Sequence, residues 1–243
     1  MGAGMFAFGL SVILSCRPQD DAELYQMATQ QSNPTLCLEL SDEEMRGECA
    51  SALVASAPNH TDNERVCAAL TSEKWKGECH FQMSDAGQLI GEMAKQMCAK
   101  SGPFEEDCLR HAAARDVEMN VHLADLKQAK SLLPRIYGTV KQYLLDSIAQ
   151  PMARDMLVRM IASHQPNQPF SNRYCEGLTP DTCAQIYIIR SLGSGAQDST
   201  QWQSSCGTPL TPKRASELSL ALYLPEQQIV VDRAWKQLCQ TGR

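Results

Sequence analysis

The chain has 243 residues, of which 43% are hydrophobic, 21% are charged and 6% are aromatic. This length is enough for one or two domains with a hydrophobic core, and the apolar content excludes an intrinsically disordered chain. The formal net charge of −6 at pH 7 argues against nucleic acid as a partner, because nucleic-acid-binding domains carry an excess of positive charge. The chain also contains eleven cysteines, and their spacing is its most informative feature.

The N-terminus carries an apolar run that is too short to cross a membrane. Residues 6–14 are apolar except for one glycine and one serine. A membrane-spanning helix needs about 20 apolar residues, so the run instead fits the apolar region of a secretory signal peptide. The run ends in the sequence ILSC at residues 13–16, and polar residues follow.

This ending resembles the lipobox of bacterial lipoproteins, in which an aliphatic residue and two further residues, the last of them small, precede an invariant cysteine. The resemblance implies that Cys16 is acylated and becomes the first residue of the mature protein. Residues 1–15 would then be a signal peptide and residues 16–20 a lipidated tether, which places the protein at a membrane of the bacterial cell envelope, in the periplasm or at the outer membrane. Several acyl chains are implied, because a single chain binds a membrane only marginally.

The ten cysteines that remain are even in number, as expected for disulfides in an exported protein. Eight of them form four closely spaced pairs, and the last two are left to pair with each other. Zinc sites usually use cysteines about two to four residues apart and redox sites use a CxxC motif, but neither spacing occurs here. The spacing therefore favours structural disulfides over metal or redox roles, with the pairs Cys37 and Cys49, Cys67 and Cys79, Cys98 and Cys108, and Cys175 and Cys183. Cys206 and Cys239 are left over and are expected to pair with each other, although their spacing does not decide this pairing.

Two of the paired segments are similar in sequence as well as in spacing. Residues 37–49 read CLELSDEEMRGEC and residues 67–79 read CAALTSEKWKGEC. The segments at 98–108 and 175–183 are shorter variants of the same pattern. The first cysteines of the first three segments recur about every 30 residues, which is the signature of an internal repeat.

Each repeat is interpreted as two antiparallel helices joined by a disulfide near the turn. The first cysteine ends one helix, and the hydroxyl residue that follows it is placed at the N-cap of the next, namely Ser41, Thr71 or Thr179. Acidic residues then occupy the first turn, where the helix dipole favours them. The second cysteine can face the first across the gap between two packed helices.

The predicted fold is all-α, with disulfide-stapled helical hairpins stacked in a solenoid-like array. The apolar runs IYII and IVV lie in windows that start with proline, so they are interpreted as helix. A repeat domain is predicted at 21–165 and a smaller C-terminal helical region at 166–243, divided at the proline-containing segment 164–170. Helix is predicted to continue through 119–133 until Pro134 ends or kinks it, and one long helix is predicted over 136–163.

Two groups of side chains are candidates for a metal-binding or catalytic site. Met152, Met156, Met160 and His164 recur every four residues, and thioether and imidazole ligands suit a soft metal such as Cu(I). Methionine is also a common core residue, and core packing is the favoured interpretation.

The second group is Glu118 and His122, four residues apart, with Asp116 and Asp125 nearby. An acid–base or metal-binding face is conceivable there, but a solvated helix face is favoured. Trp75 could anchor a partner, although packing against the neighbouring repeat is favoured for it too.

The sequence predicts a non-enzymatic interaction or scaffold protein of the cell envelope. Its partners would be a membrane, through the N-terminal lipid, and another protein that binds in a broad groove between the hairpins; no cofactor is expected. The alternatives are a copper-handling protein that uses the methionines and His164, and an envelope enzyme that uses Glu118 and His122.

Overall fold

A computed structural model of the protein describes residues 20–57, 61–164, 172–192, 203–222 and 227–240. Within these residues the chain forms α-helices, short 3₁₀ helices, turns and bends and contains no strand, so the all-α prediction is confirmed. The predicted signal peptide, Cys16 and almost all of the predicted linker at 164–170 lie outside the described residues.

The chain divides after Gly87 into two compact units, called here the N-terminal and C-terminal units. The described residues of the N-terminal unit form four α-helices and one 3₁₀ helix at Pro34–Glu39. The α-helices are α1 (Asp21–Gln31), α2 (Glu43–Ser56), α3 (Asn63–Ala69) and α4 (Glu73–Ala86). Two stapled hairpins make up most of this unit, and they pack on each other through α2 and α4.

The other helices that the structure describes lie in the C-terminal unit. The α-helices are α5 (Gly91–Cys98), α6 (Glu105–Asn120), α7 (Ala129–Tyr143), α8 (Asp146–Ser163), α9 (Pro180–Ser191), α10 (Pro212–Leu222) and α11 (Gln227–Gln240). Short 3₁₀ helices lie at Gly102–Phe104, Leu123–Gln128, Asn172–Cys175 and Ser205–Gly207. Neighbouring helices pack in the order α5, α6, α7, α8, α9, α11, and α10 packs on α11.

All five predicted disulfides are present. The paired Cα atoms are 5.7 Å apart for Cys37–Cys49, 5.4 Å for Cys67–Cys79 and Cys98–Cys108, 5.2 Å for Cys175–Cys183 and 5.3 Å for Cys206–Cys239. These separations lie within the range that a disulfide requires. Four of the five bonds join residues at most 12 positions apart, so they constrain individual hairpins.

The predicted N-caps are correct at one position and wrong by one residue at two. Thr179 caps α9 as predicted, accepting a hydrogen bond from the amide of Thr182 at 3.3 Å. In the two N-terminal hairpins, however, Asp42 and Ser72 are the caps. The hydroxyls of the residues predicted to cap instead bond to an earlier α-helix, Ser41 to α1 and Thr71 to α2.

Those bonds join each hydroxyl to a carboxylate at or near the start of an earlier helix. The Ser41 hydroxyl donates to Asp21 at 2.6 Å, and the Thr71 hydroxyl donates to Glu43 at 2.7 Å. Asp21 also accepts from the backbone amides of Ser41 at 3.0 Å and Asp42 at 2.9 Å. These three bonds lower the pKa of the Asp21 carboxyl, with the Ser41 hydroxyl contributing most.

Two helix boundaries in the C-terminal unit differ from the predictions. The helix expected through 119–133 ends at Asn120, and an extended Val121 separates it from the 3₁₀ helix. The long helix predicted over 136–163 is two helices, α7 and α8, with a turn at residues 144–145. Helix α7 continues through Pro134. The chain turns further along, at residues 144–145, and there α8 folds back to pack against α7.

The division between units also falls elsewhere than the predicted boundary at 165/166. Helices α8 and α9, on either side of that boundary, contribute Leu157, Ile161, Ile186 and Ile189 to one continuous core. Residues 88–240 therefore form a single unit. The predicted stacking of all hairpins into one solenoid-like array concerns both units together and stays a prediction.

Candidate functional site

An open cleft of about 500 Å³ lies in the C-terminal unit. It is bounded by the turn that joins α5 to α6 and by the turn that joins α7 to α8. A volume in this range is typical of ligand-binding clefts. Its lining combines aliphatic side chains with carboxylates. The described lining residues are Gly102, Pro103, Glu105, Glu106, Leu109, Lys141, Gln142, Tyr143, Leu144, Leu145 and Ile148.

The first wall of the cleft is fixed by the Cys98–Cys108 disulfide. Both cysteines are fully buried, and the bond holds the end of α5 against the first turn of α6. Between them the chain turns at Gly102, whose φ of 53° is a left-handed conformation that glycine adopts without a steric cost. The 3₁₀ turn that follows brings Pro103, Glu105 and Glu106 to the cleft.

The second wall is anchored by Tyr143, the last residue of α7. Its hydroxyl donates to the Asp116 carboxylate at 2.7 Å and accepts from the Gly91 amide at 2.5 Å. Burial, followed by the hydrogen bond to Asp116, raises the pKa of Tyr143 to about 12. The anchor fixes the point from which residues 144 and 145 turn into α8. Leu145 is left 74% exposed at the cleft.

The cationic side chain in the lining, Lys141, has its charge balanced locally. Its ammonium lies 3.2 Å from the Asp146 carboxylate, which also accepts a hydrogen bond from the Tyr137 hydroxyl at 2.8 Å. The Tyr137 bond, followed by the Lys141 bond, lowers the pKa of Asp146, while the bond to Asp146 raises the pKa of Lys141. Lys141 therefore does not offset the charge of the opposite wall.

That opposite wall is acidic. Glu105, Glu106 and Asp107 form the exposed first turn of α6, and the first two line the cleft. Arg110 bonds to Glu106 at 2.5 Å, so part of this charge is balanced within the helix. The cleft thus has an aliphatic floor and an acidic rim, a combination suited to binding a segment that is both apolar and positively charged.

Of the residues predicted as a possible copper site, the structure brings Met156 and Met160 together in one cavity. Met156 and Met160 line a smaller cavity of about 250 Å³ between α6 and α8, whose described lining includes neither Met152 nor His164. All three methionines contribute to or pack against the C-terminal core. This arrangement is the one expected for core packing.

His164 directly follows α8, and its contacts are with Tyr174 and Arg190. Its ring is 6.3 Å from that of Tyr174 in an edge-on arrangement, and its carbonyl accepts from Arg190 at 2.7 Å. Burial lowers the pKa of the His164 imidazole, and the nearby charges of Arg190 and Lys127 lower it further. These charges also oppose a bound cation. No group of three or more histidine, cysteine or acidic side chains suited to a metal occurs among the described residues.

Glu118 and His122 do not share a helix face, because α6 ends at Asn120 between them. His122 is exposed in an extended conformation. The carboxylates predicted to lie beside them are engaged elsewhere, Asp116 with Tyr143 and Asp125 with Arg135. The helix face predicted for these residues is therefore not formed.

Trp75 packs against the neighbouring repeat, as the favoured interpretation predicts. A Cβ atom on Gly47 would lie 2.0 Å from Cγ of the indole, so the ring rests directly on the backbone of α2. The indole nitrogen donates to Glu44 at 2.8 Å, and the Lys74 ammonium lies 4.3 Å from the ring centroid. Trp75 therefore joins α4 to α2 and is not a free anchor.

The residues of the cleft were not identified from the sequence. The turn at Gly102 and Pro103 was recognisable, but Leu144 and Leu145 fell inside a predicted helix. A pair of leucines directly before an acidic helix start was the one local signal available. Whether Leu144 and Leu145 lie opposite Glu105 depends on how α6 packs against α7, which the local sequence does not reveal.

No protein-family model matches this chain, and no curated protein or solved structure matches it either. None of the described helices has both the length and the hydropathy needed to cross a membrane.

Proposed function

We propose that the protein is an exported, lipid-anchored module of the bacterial cell envelope that binds another protein without itself catalysing a reaction. The five disulfides are compatible with export, because disulfides persist in oxidising compartments. Cys16, in its lipobox-like context, supplies the anchor. The protein partner binds the C-terminal unit.

The observation that carries the proposal is the open cleft with an exposed leucine and two fixed walls. The Cys98–Cys108 disulfide holds one wall, and the Tyr143–Asp116 hydrogen bond holds the other. Walls that are already ordered reduce the entropy lost on binding. The polar side chains of the second wall are engaged within the protein, Lys141 by Asp146 and Tyr143 by Asp116, which favours a role in recognition.

Lipid anchoring is tested by labelling cells with a palmitate analogue and fractionating them. We expect the label on the wild-type protein and membrane association that is lost in Cys16→Ser. The control is Cys206→Ser/Cys239→Ser, which removes two other cysteines and should keep both properties. An unlabelled wild-type protein, or equal labelling of Cys16→Ser, contradicts the anchor.

Protein binding is tested with a photo-crosslinking amino acid placed at position 145 in living cells. We expect a discrete protein adduct from position 145. The matched control is position 220, where another leucine is 67% exposed on α10, away from the cleft lining. Adducts at both positions, or at neither, contradict a specific interaction at the cleft.

A further inference from the structure

We propose that the cleft binds an extended basic segment of its protein partner, with an aliphatic side chain of that segment against Leu145 and its Lys or Arg residues opposite the first turn of α6. This inference rests on the proposed function, because it specifies the chemistry of the partner. Three properties of the cleft indicate this occupant: its size, its apolar floor and its charge.

The size of the cleft indicates an extended segment rather than the surface of a folded domain. A space of about 500 Å³ accommodates a few side chains. The cleft lies between two turns, and a strip of extended chain can contact both walls at once. It does so without any movement of the clamped hairpin.

The floor of the cleft indicates an aliphatic residue in that segment. Leu145 is 74% exposed, while Leu109 and Ile148 are half-buried beside it. Isolated exposed leucines are common on protein surfaces, but this one lies in a concavity with two further aliphatic side chains. Covering it with an aliphatic side chain would remove apolar surface of both partners from water.

The rim of the cleft indicates positive charge. Glu105 and Glu106 line the cleft, and Asp107 extends the same exposed turn. The helix dipole accounts for acidic residues at this position, but it does not neutralise them towards an incoming ligand. Lys141 is engaged by Asp146 and Arg110 by Glu106, so Glu105 and Asp107 leave the rim with net negative charge. The chain as a whole also carries a net charge of −6.

The proposal is tested by selecting binders from a phage-displayed library of random peptides on the full chain. We expect the enriched sequences to combine Leu, Ile or Met with Lys or Arg. The most enriched peptide is then synthesised with a fluorescent label, and its affinity is measured by anisotropy at low and high salt. Affinity should fall as salt rises, because exposed charges are screened.

Variants of the full chain then locate the peptide. Leu145→Asp is expected to weaken binding by tenfold or more, as for a central apolar contact. Glu105→Lys/Glu106→Lys should also weaken it by about tenfold and flatten its salt dependence. The matched controls are Leu220→Asp, at an exposed leucine on α10, and Glu23→Lys, at an exposed glutamate in the first turn of α1. Both should bind the peptide as the wild type does.

Four results would overturn the inference: enrichment of acidic peptides, no enrichment above background, equal binding by the cleft and control variants, and self-association that Leu145→Asp abolishes. The last of these would identify a second copy of the chain as the occupant. Failure of this inference is distinguishable from failure of the proposed function. A crosslinked protein at position 145 without a preference for basic peptides would refute only the charge assignment.

Discussion

The cores of the two units are stabilised by different means. Four of the twelve described core residues of the N-terminal unit are half-cystines, and its remaining core residues are leucine, valine and alanine. The main core cluster of the C-terminal unit contains thirty described buried residues, with Cys183 as its one half-cystine. Two further buried half-cystines of this unit, Cys98 and Cys108, lie outside that cluster. Isoleucine, leucine, valine and alanine make up most of that larger core.

This difference reflects size. Below about 70–80 residues a single core rarely provides enough stability, and small domains compensate with disulfides. The described part of the N-terminal unit, residues 20–57 and 61–87, is below that size. Its disulfides occupy core positions that a larger unit would fill with aliphatic side chains. The C-terminal unit buries enough apolar surface to depend less on its disulfides. We therefore expect that removing a disulfide destabilises the N-terminal unit more than the C-terminal unit.

The largest contrast is expected on removing disulfides. The chain-entropy relation gives about 3 kcal/mol for Cys67–Cys79 and about 2.5 kcal/mol for Cys175–Cys183. Although these values are similar, Cys67→Ser/Cys79→Ser should unfold the N-terminal unit, whereas Cys175→Ser/Cys183→Ser should leave the C-terminal unit folded. Hydrogen exchange resolved by mass spectrometry follows each unit separately. Equal loss of protection in the two variants would refute the comparison.

The next largest effect is expected where the two N-terminal hairpins meet. Gly47→Ala places a Cβ atom 2.0 Å from the Trp75 ring, so the ring or the helix must move, at a cost of about 1–3 kcal/mol. Urea denaturation measures this cost.

The control for that variant is Gly138→Ala, at a helical glycine where a Cβ atom meets nothing within 4 Å. It should stabilise the C-terminal unit by up to about 1 kcal/mol. The cost of Gly47→Ala should also disappear in a Trp75→Ala background. Persistence of the cost there would mean that the ring is not its cause.

A smaller effect is expected from the polar anchor of the C-terminal unit. Tyr143→Phe leaves the Gly91 amide and the Asp116 carboxylate without their hydroxyl partner, which should cost about 1–2 kcal/mol. Tyr137→Phe, which removes a hydroxyl bound to the exposed Asp146, should change stability by less than about 0.5 kcal/mol. Urea denaturation of both variants measures the difference, and equal costs would contradict the anchoring role.

The smallest effect is a pH dependence confined to the N-terminal unit. The pKa of Asp21 is lowered in the folded protein, so its ionised form stabilises the fold above the unfolded pKa of about 3.9. That contribution is lost as the pH falls through the lower folded-state value. Thermal melts between neutral and acidic pH should therefore show a shallower decline for Asp21→Asn than for the wild type. A decline of equal steepness would remove Asp21 as a cause.

The sequence by itself determined the features that depend on short-range contacts. Cys37 can reach Cys49 because only one turn separates their helices, so spacing was enough to predict the disulfide. The same holds for the Thr179 cap, which bonds within its own first turn. Even the longer Cys206–Cys239 bond was predictable, since the other eight cysteines were already paired.

Tertiary structure decided where local signals competed. Ser41 and Asp42 are both good N-cap residues, and Asp42 caps because Asp21 on another helix holds Ser41. The turn at Leu144 and Leu145 lies between α7 and α8, which pack on each other, and no proline or glycine marks it. The cleft and the division after Gly87 likewise depend on contacts between residues far apart in the chain, and these leave no local pattern in the sequence.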